Sequence, residues 1–173
     1  MLKFNAKQLR KISPKIPSQK IYKTPLVFVL DNVQDTYNIG SFFRLADALG
    51  VRKIYLCGET VTPPNPKIHR ASVGLWRWLP WEHHRSSLSV LKLLRKEGYS
   101  IVVAEQSKES CPYLKVKPKF PVALVVGHES EGINPEILKY ADLVVEIPLL
   151  GVNRSLNVLV AASVIAYHFL SLL

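Results

Sequence analysis

Asparagine, arginine, serine and glutamate side chains follow apolar, strand-like runs in three separate segments of this chain. The segments cover residues 26–50, 122–133 and 142–163. In an open α/β sheet, the loops that leave the carboxyl ends of the strands gather at one edge, and ligands bind there. We therefore expect a single polar pocket, built from distant parts of the sequence by Asn32, Asn38, Arg44, Gly127, Glu129, Gly132, Ser155 and Asn157.

The elements that must position these side chains alternate along the chain. Short apolar runs beside turn residues predict buried strands, and apolar residues at helical spacing before a glycine predict helices that end there. The predicted strands are Leu26–Leu30, Lys53–Cys57, Ser100–Ala104, Val122–Val126 and Leu143–Ile147, and the predicted helices are Ile39–Leu49, Ser87–Glu97 and Ser155–Leu170, with Asn153 or Ser155 as the N-cap of the last. This alternation predicts an α/β fold with a mostly parallel sheet and helices on both faces.

Positive charge is concentrated at the amino end of the chain. The net charge is +10, and residues 1–24 carry seven lysines and arginines and no acidic residue, which leaves +3 for the other 149 residues. We interpret residues 1–24 as a basic arm and residues 25–173 as one globular domain. Such an arm can contact nucleic acid by neutralising phosphates. A solvated terminus, with a short helix over Asn5–Ile12, fits the same composition.

Two other features bear on the setting of the protein. Only Cys57 and Cys111 are present, without metal-ligand spacing, which favours a reduced, cytoplasmic environment. The stretch Ser155–Leu173 carries no charged Asp, Glu, Lys or Arg and approaches the length of a membrane span. It nevertheless contains Asn157 and His168, and a buried or subunit-interface helix is also apolar all round. We favour that second interpretation and expect no membrane partner.

Several common sites are absent from the sequence. No G-x-G-x-x-G follows the first strand, and there is no G-x-x-x-x-G-K-[ST] P-loop. His83 and His84 stand beside Glu82 but have no third ligand at a useful spacing, so we interpret them as surface histidines and expect no metal. Ser155 is not part of a G-x-S-x-G pattern, which argues against a hydrolase.

The three polar segments contain three motifs, in this order: Asn32…Asn38-Ile39-Gly40…Arg44…Ala46-Asp47…Gly50, Gly127-His128-Glu129-Ser130-Glu131-Gly132-Ile133, and Ile147-Pro148-Leu149…Ser155-Leu156-Asn157-Val158…Ala161. Together, over about Leu26–His168, they resemble the SpoU branch of the SPOUT superfamily, whose members are RNA ribose 2′-O-methyltransferases that use S-adenosylmethionine. The resemblance implies a C-terminal deep trefoil knot, a homodimer, and a pocket for S-adenosylmethionine formed by the knotted loops of the second and third motifs.

The resemblance also implies roles for individual residues. Methyl transfer to a ribose hydroxyl needs aligned reactants and removal of a proton. Arg44 matches the family's catalytic arginine; because a guanidinium stays protonated, we expect it to clamp the adjacent phosphate, with a surface salt bridge as the alternative. The other implied catalytic residues are Asn38, Glu129, Ser155 and Asn157, and the implied cofactor-binding residues are Ala104, Glu105, Gly127, Gly132, Ile147 and Leu156.

Some of these assignments have alternatives. Asn38 and Ser155 could serve as helix caps rather than contact a reactant. Glu129 is expected to position Asn157 or Arg44 by hydrogen bonding. Gly127 and Gly132 are expected to let the backbone approach the cofactor closely.

A cluster of aromatic and basic residues lies between the first two motifs. It consists of Trp76, Trp78 and Trp81 with Arg70, Arg77, His83, His84 and Arg85. These tryptophans could stack on unpaired RNA bases, but we favour packing within the protein, because tryptophan is usually largely buried. The neighbouring segment, residues 69–74, is expected to contact RNA or the cofactor.

The resemblance predicts an RNA substrate and favours transfer RNA over ribosomal RNA. The first motif looks closest to the branch that modifies guanosine in the D-loop of transfer RNA. Two alternatives stay open: a non-catalytic, dimeric RNA-binding protein that retains the fold, and an enzyme that methylates a base instead of a ribose.

Overall fold

One seven-stranded sheet forms the centre of the protein in a computed structural model that describes residues 3–12 and 20–173. The strands are β1 (Thr24–Asp31), β2 (Val51–Cys57), β3 (Trp81–His84), β4 (Ser100–Ala104), β5 (Cys111–Pro112), β6 (Val122–Val126) and β7 (Leu143–Glu146). Their order across the sheet is β3-β2-β1-β6-β4-β7-β5, and every neighbouring pair is parallel. The predicted α/β fold with a parallel sheet is confirmed, and β3 and β5 are edge strands that the sequence patterns did not predict.

Helices cover both faces of this sheet. They are α1 (Ala6–Lys11), α2 (Thr36–Leu49), α3 (Pro66–Ala71), α4 (Ser87–Lys96), α5 (Pro135–Tyr140) and α6 (Val158–Leu170). One apolar core joins α2, α3 and α6 to one face, and a second core joins α4 and α5 to the other. β6, near the middle, is buried at every position. Burial on both faces explains why these strands read as unbroken apolar runs.

Helix α2 carries the first motif and is fixed at both ends. The Asp35 carboxylate accepts hydrogen bonds from the backbone N–H groups of Tyr37 and Asn38 and so caps the helix, which begins three residues before the predicted start. Gly50 ends it in a left-handed conformation with φ +66°, as predicted. Near the middle, a Cβ atom on Gly40 would lie 2.5 Å from Cβ of Ala71. Glycine at this position therefore allows α2 and α3 to cross closely.

Helix α6 begins at Val158, three residues later than predicted. Its N-cap is Asn157, whose Oδ1 accepts hydrogen bonds from the N–H groups of Leu159 (2.9 Å) and Val160 (3.3 Å). The predicted caps, Asn153 and Ser155, were wrong because the chain is still in the loop after β7 at those positions. The inner face of the helix is buried, while its outer side leaves Val160 and Tyr167 about half exposed. No helix within residues 3–12 and 20–173 is long and apolar enough to cross a membrane.

Helix α1 lies against the domain with its basic residues outward. Phe4 packs on Trp78 with ring centroids 5.5 Å apart. The Arg77 guanidinium donates to the carbonyl oxygens of Leu9 (3.2 Å) and Arg10 (2.5 Å), at the end of the helix where carbonyl groups lack helical partners. The exposed cations of this segment are Lys3, Lys7, Arg10 and Lys11. Residues 13–19 of the predicted arm, including Lys15, lie outside the described residues.

Candidate active site

A cavity of about 370 Å³ opens at the carboxyl edge of the sheet. Its floor includes Ala104, Val126 and Val145, at the ends of the adjacent strands β4, β6 and β7. Its walls come from the loops that follow those strands. Because all the strands are parallel, these loops must leave at the same edge. The second and third motifs therefore meet there, although they are far apart in sequence.

Most of the residues proposed from the sequence line this cavity. All six predicted cofactor-binding residues do so, and so do three of the five predicted catalytic residues, namely Glu129, Ser155 and Asn157. Asn38 lies behind the lining and is buried, whereas Arg44 is exposed elsewhere on α2. The sequence missed further polar residues of the lining: Gln106, His128, Ser130, Glu146, Asn153 and Arg154. His128 and Ser130 belong to the second motif and the other four lie beside or between predicted site residues, so their positions in the sequence were the available signal.

Glu129 connects the second motif to the first. Its carboxylate accepts hydrogen bonds from the Asn38 side-chain amide (3.1 Å) and from the backbone N–H groups of Asp35 (3.2 Å) and Gln34 (3.3 Å). Partial burial raises the pKa of Glu129, but these hydrogen bonds outweigh it and hold the pKa below its ordinary value. Glu129 is therefore an anion at neutral pH and holds the β6 loop against the start of α2.

Asn38 extends this connection to the third motif. Its Oδ1 accepts a hydrogen bond from Nδ2 of Asn157 (3.1 Å), while its Nδ2 donates to Glu129. The helix-cap alternative for Asn38 is wrong, because Asp35 caps α2. Glu129 does position Asn157, but only through Asn38. The three side chains form a polar chain, which we call the Glu129–Asn38–Asn157 relay, with Asn157 at the cavity wall and at the start of α6.

The second motif forms a tight loop closed by backbone hydrogen bonds. The N–H groups of His128 and Gly132 each donate to the other residue's carbonyl oxygen, at 3.1 and 3.0 Å. A Cβ atom on Gly127 would lie 2.5 Å from the carbonyl oxygen of Gly132, and Gly132 has φ +70°. Both glycines are thus required by the loop itself. The carboxylate of Glu105 braces this loop by accepting from the N–H of Ile133 at 2.9 Å.

Arg44 does not reach the cavity of its own chain. It follows Asn38 by six residues on α2, which places it about 9 Å further along the helix and about 120° around its axis. Asn38 faces Glu129 and Asn157, so Arg44 points away from these two residues. The Arg44 side chain is exposed, and neither the expected contact with Glu129 nor a salt bridge is among the interactions of the described residues.

Ser155 lies on the exposed part of the loop between β7 and α6. Residues 151–157 are all exposed, and the backbone N–H of Ser155 donates to Oδ1 of Asn153 at 3.4 Å. The serine hydroxyl is therefore accessible from the cavity, and capping does not occupy it.

The tryptophan residues of the aromatic and basic cluster pack against the core, Trp78 buried and Trp76 and Trp81 partly buried. Trp78 is only 8% exposed, and the indole N–H of Trp81 donates to the carbonyl oxygen of Trp76. Residues 69–74 end α3 and do not line the cavity, contrary to the expected cofactor contact. Instead, Gly74 lies against the backbone of Leu9 and Arg10 in the α1 segment. These contacts show that the region packs within the protein and docks α1, and a contact with RNA stays a prediction.

The adjacent histidines lie on strand β3. Nε2 of His84 is 3.1 Å from the Glu82 carboxylate, and Nε2 of His83 is 3.0 Å from the carbonyl oxygen of Gly58. In the part of the chain that the structure describes, no cluster of His, Cys, Asp or Glu could hold a metal ion.

Comparison with known proteins identifies the class to which this fold and site belong. The SpoU rRNA Methylase family matches residues 25–167, which is most of the chain. A tRNA (guanosine(18)-2′-O)-methyltransferase of Aquifex aeolicus is 34% identical over 87% of this chain and 70% of that protein. A 23S rRNA (guanosine(2553)-2′-O)-methyltransferase of Bacillus subtilis, RlmP, is 33% identical over 88% of this chain but only 61% of that protein. The chain belongs to the SpoU methylase family.

Solved structures agree with this assignment. The A. aeolicus TrmH/SpoU tRNA modifying enzyme superimposes with a TM-score of 0.79 and 30% identity, covering 96% of this chain and 81% of that one. The SpoU methyltransferase AviRb from Streptomyces viridochromogenes, solved in complex with AdoMet, has a TM-score of 0.77 and 27% identity, covering 84% of this chain and 59% of that one. The α/β architecture is thus that of SpoU enzymes. The trefoil knot stays a prediction from the family.

Proposed function

We propose that this protein is an S-adenosylmethionine-dependent RNA methyltransferase that acts on a ribose 2′-hydroxyl. The observation that carries the proposal is the convergence of the second and third motifs on one cavity, which the Glu129–Asn38–Asn157 relay ties to the first motif. Membership of the SpoU methylase family supports it, as do relatives named as 2′-O-methyltransferases. Because the chain spans 61–70% of these two relatives, the activity of the whole protein is part of the proposal.

The cavity fits the proposed cofactor chemically. Glu105, Glu129 and Glu146 place carboxylates around it, suited to the sulfonium and ammonium charges of S-adenosylmethionine, and Arg154 offers a partner for its carboxylate. An apolar part of the lining, including Ile147, Leu156, Val158, Ala161 and Ile165, suits a purine ring. The cofactor supplies the methyl group when it is bound. Its proposed binding residues are Ala104, Glu105, Gly127, Gly132, Ile147 and Leu156.

The protein's own residues would align the ribose and help its hydroxyl lose a proton. Asn157 and Ser155, at the cavity mouth, are proposed to hold the ribose, with Asn38 and Glu129 fixing the orientation of Asn157. Arg44 is proposed to clamp the neighbouring phosphate, since a guanidinium binds phosphate oxygens in a bidentate manner and keeps its proton. Clamping would fix the nucleotide and favour the anion that forms as the hydroxyl ionises.

The proposed enzyme is a homodimer in which Arg44 serves the cavity of the partner subunit. This arrangement is supported by the direction of Arg44, which points away from its own cavity. It is also supported by the exposed apolar side chains of α6, notably Val160 (44% exposed) and Tyr167 (52% exposed). Burial of this face between two copies would remove apolar surface from water. A reduced, cytoplasmic setting remains part of the proposal.

We favour transfer RNA as the substrate. The form of the first motif supports this choice, and so does the A. aeolicus relative, which is named as a tRNA enzyme. The B. subtilis relative, named as a 23S rRNA enzyme, is nearly as similar. The preference therefore needs a direct experiment.

Incubation with methyl-labelled S-adenosylmethionine and total RNA tests both the activity and the substrate. We expect label in transfer RNA, recovered after alkaline hydrolysis as stable dinucleotides, because a methylated 2′-oxygen cannot attack the adjacent phosphodiester. Label in ordinary mononucleotides would mean base methylation. If calorimetric titration to millimolar S-adenosylmethionine detects no binding to the folded protein, the non-catalytic RNA-binding alternative replaces the proposal.

A further inference from the structure

A second cavity, of about 460 Å³, opens at the carboxyl ends of β2 and β3. It is lined by residues 58–62 of the loop after β2, together with His83 and Arg85. His83 and Arg85 are exposed members of the aromatic and basic cluster, and Nε2 of His83 lies 3.0 Å from the carbonyl oxygen of Gly58 in that loop. None of the ion pairs among the described residues engages Arg85.

The loop that forms this cavity is fixed to the first motif. Asn32 has a left-handed backbone (φ +57°), which is rare for a residue other than glycine, and its Oδ1 accepts a hydrogen bond from the N–H of Glu59 (3.0 Å). A Cβ atom on Gly58 would collide with this same oxygen. The hydroxyl of Thr60 donates to the carbonyl oxygen of Leu30 at 3.2 Å. Asn32 therefore shapes the second cavity, and it does not line the first.

Both cavities face the same side of the molecule. Every strand is parallel, so all carboxyl ends lie along one edge, and only β1 separates β2 from β6 in the sheet. Adjacent strands are about 4.8 Å apart, which puts the ends of β2 and β6 about 10 Å from each other. This is the distance between the nearest strands of the two cavities, and in a stacked strand, at 3.4 Å per nucleotide, it corresponds to about three nucleotides as a minimum.

The residues at the cavity fit a nucleotide better than a simple anion. Arg85 can take a phosphate, but Glu59 also belongs to the lining and would repel a free anion. A nucleotide offers both a phosphate and hydrogen-bond donors on its base. The carboxylate of Glu59 and the hydroxyl of Thr62 can accept from such donors.

We propose that the second cavity is a subsite for another nucleotide of the same RNA, held while a ribose is methylated at the first cavity. The proposal rests on the proposed function in that both cavities serve one RNA. Arg85 binds a phosphate of this nucleotide, and Glu59 and Thr62 contact its base.

The test compares Arg85→Ala with Arg52→Ala, using unfractionated transfer RNA. Arg52 is a matched control because it is also exposed but lies at the start of β2, at the amino ends of the strands and away from both cavities. We expect Arg85→Ala to raise KM for RNA about fivefold or more and to leave kcat and the Kd for S-adenosylmethionine within about twofold. Loss of one phosphate contact should also reduce the salt slope of RNA binding, which is the slope of log K against log salt concentration, by about 0.7–0.9 in magnitude. Arg52→Ala should change none of these values.

The Glu59→Gln variant tests whether the second cavity binds a nucleotide or only a simple anion. It should weaken RNA binding if the carboxylate contacts a base, whereas tighter binding would mean that the cavity holds only a phosphate. Equal behaviour of the Arg85 and Arg52 variants would overturn the subsite. The salt dependence of RNA binding can be measured without methyl transfer. If the protein binds RNA but does not modify it, the proposed function is contradicted and the subsite can still be tested. A protein that binds no RNA would contradict both.

Discussion

At the residue scale, the position of Arg44 separates two proposed functions of the site, donor binding and RNA binding. In the proposed function, the cavity binds the methyl donor and a cation holds the RNA. The relay faces the cavity, but Arg44 lies about 120° away from it around α2. Arg44 is exposed and is not among the residues that line the cavity of its own chain.

Replacement of Arg44 tests this separation. We expect Arg44→Ala to reduce kcat by about 100-fold or more, because a group that aligns the reacting nucleotide contributes most in the transition state. The Kd for S-adenosylmethionine should stay within about threefold, as measured by calorimetry. Arg44→Lys keeps the charge but not the bidentate geometry, and we expect it to recover only part of the activity. An equal loss of cofactor affinity and turnover would contradict a role directed at the RNA.

The lowered pKa of Glu129 leads to a prediction about how the free energy of unfolding depends on pH. Burial raises its pKa, but the hydrogen bonds from Asn38 and from the backbone outweigh this effect, so the folded-state pKa lies below the ordinary value of 4.5. The carboxylate therefore stabilises the fold above pH 4.5, and this contribution disappears as the pH falls through the lowered pKa. Glu129→Gln should cost about 1 kcal/mol at pH 7, a small value because the group is largely exposed to solvent.

Urea denaturation of both proteins between pH 3 and 7 provides the measurement. The difference in unfolding free energy should be largest near neutral pH and should vanish at the acid end. A difference that is constant with pH would show that the charge of Glu129 does not matter to the connection between the β6 loop and α2.

The sequence predicted which residues belong to the site but not the contacts among them. The family resemblance implied Glu129, Asn38 and Asn157 as candidates, and the cofactor-binding candidates that it implied all line one cavity. The relay itself could not be predicted, because Asn38 and Glu129 are 91 positions apart. Their contact depends on how β1 and β6 pair, which no local pattern encodes.

At the element scale, the docking of α1 depends on a side chain from a different part of the chain. The Arg77 guanidinium donates to two carbonyl groups at the end of α1. Hydrogen bonds from a charged group are worth about 1.5–3 kcal/mol. Arg77→Ala should therefore release α1 and leave the sheet intact, since few other contacts hold so short a helix.

Amide hydrogen exchange can detect this release. Exchange at residues 6–11 should become faster by about tenfold or more in Arg77→Ala, while exchange in β1 and β6 stays the same. Arg70→Ala, at an exposed arginine of the neighbouring helix, is the control. Unchanged protection of α1 would mean that Phe4 and the other apolar contacts suffice to hold it.

The elements that sequence patterns missed share a physical reason. Helices α3 and α5 are six residues long, too short for helical periodicity, and each starts with an Asn-Pro pair that is also typical of a turn. Strand β3 has the polar sequence Trp-Glu-His-His, because it lies at the edge of the sheet and needs little apolar surface. The central strands, buried on both faces, were predicted with ends within two residues of those observed.

At the scale of the whole molecule, the proposed homodimer predicts that two defective subunits can complement each other. If Arg44 serves the partner's cavity, a mixed dimer of Arg44→Ala and Ser155→Ala subunits has one intact site. A random mixture should then recover roughly a quarter of the wild-type activity. Each variant alone should be nearly inactive. Failure to recover any activity, with mixed dimers verified by mass spectrometry, would contradict the shared site.

Cys57 and Cys111 have opposite environments, and this contrast is of practical use. Burial raises the pKa of the Cys57 thiol to about 12 and keeps it unreactive, whereas Cys111 is exposed on β5. Next to Cys111, the Ser110 hydroxyl donates to Glu146 of the first cavity at 2.7 Å. A maleimide dye should therefore label the unaltered protein at a single position beside the proposed donor pocket. Its fluorescence could follow ligand entry in stopped-flow experiments without any engineered cysteine.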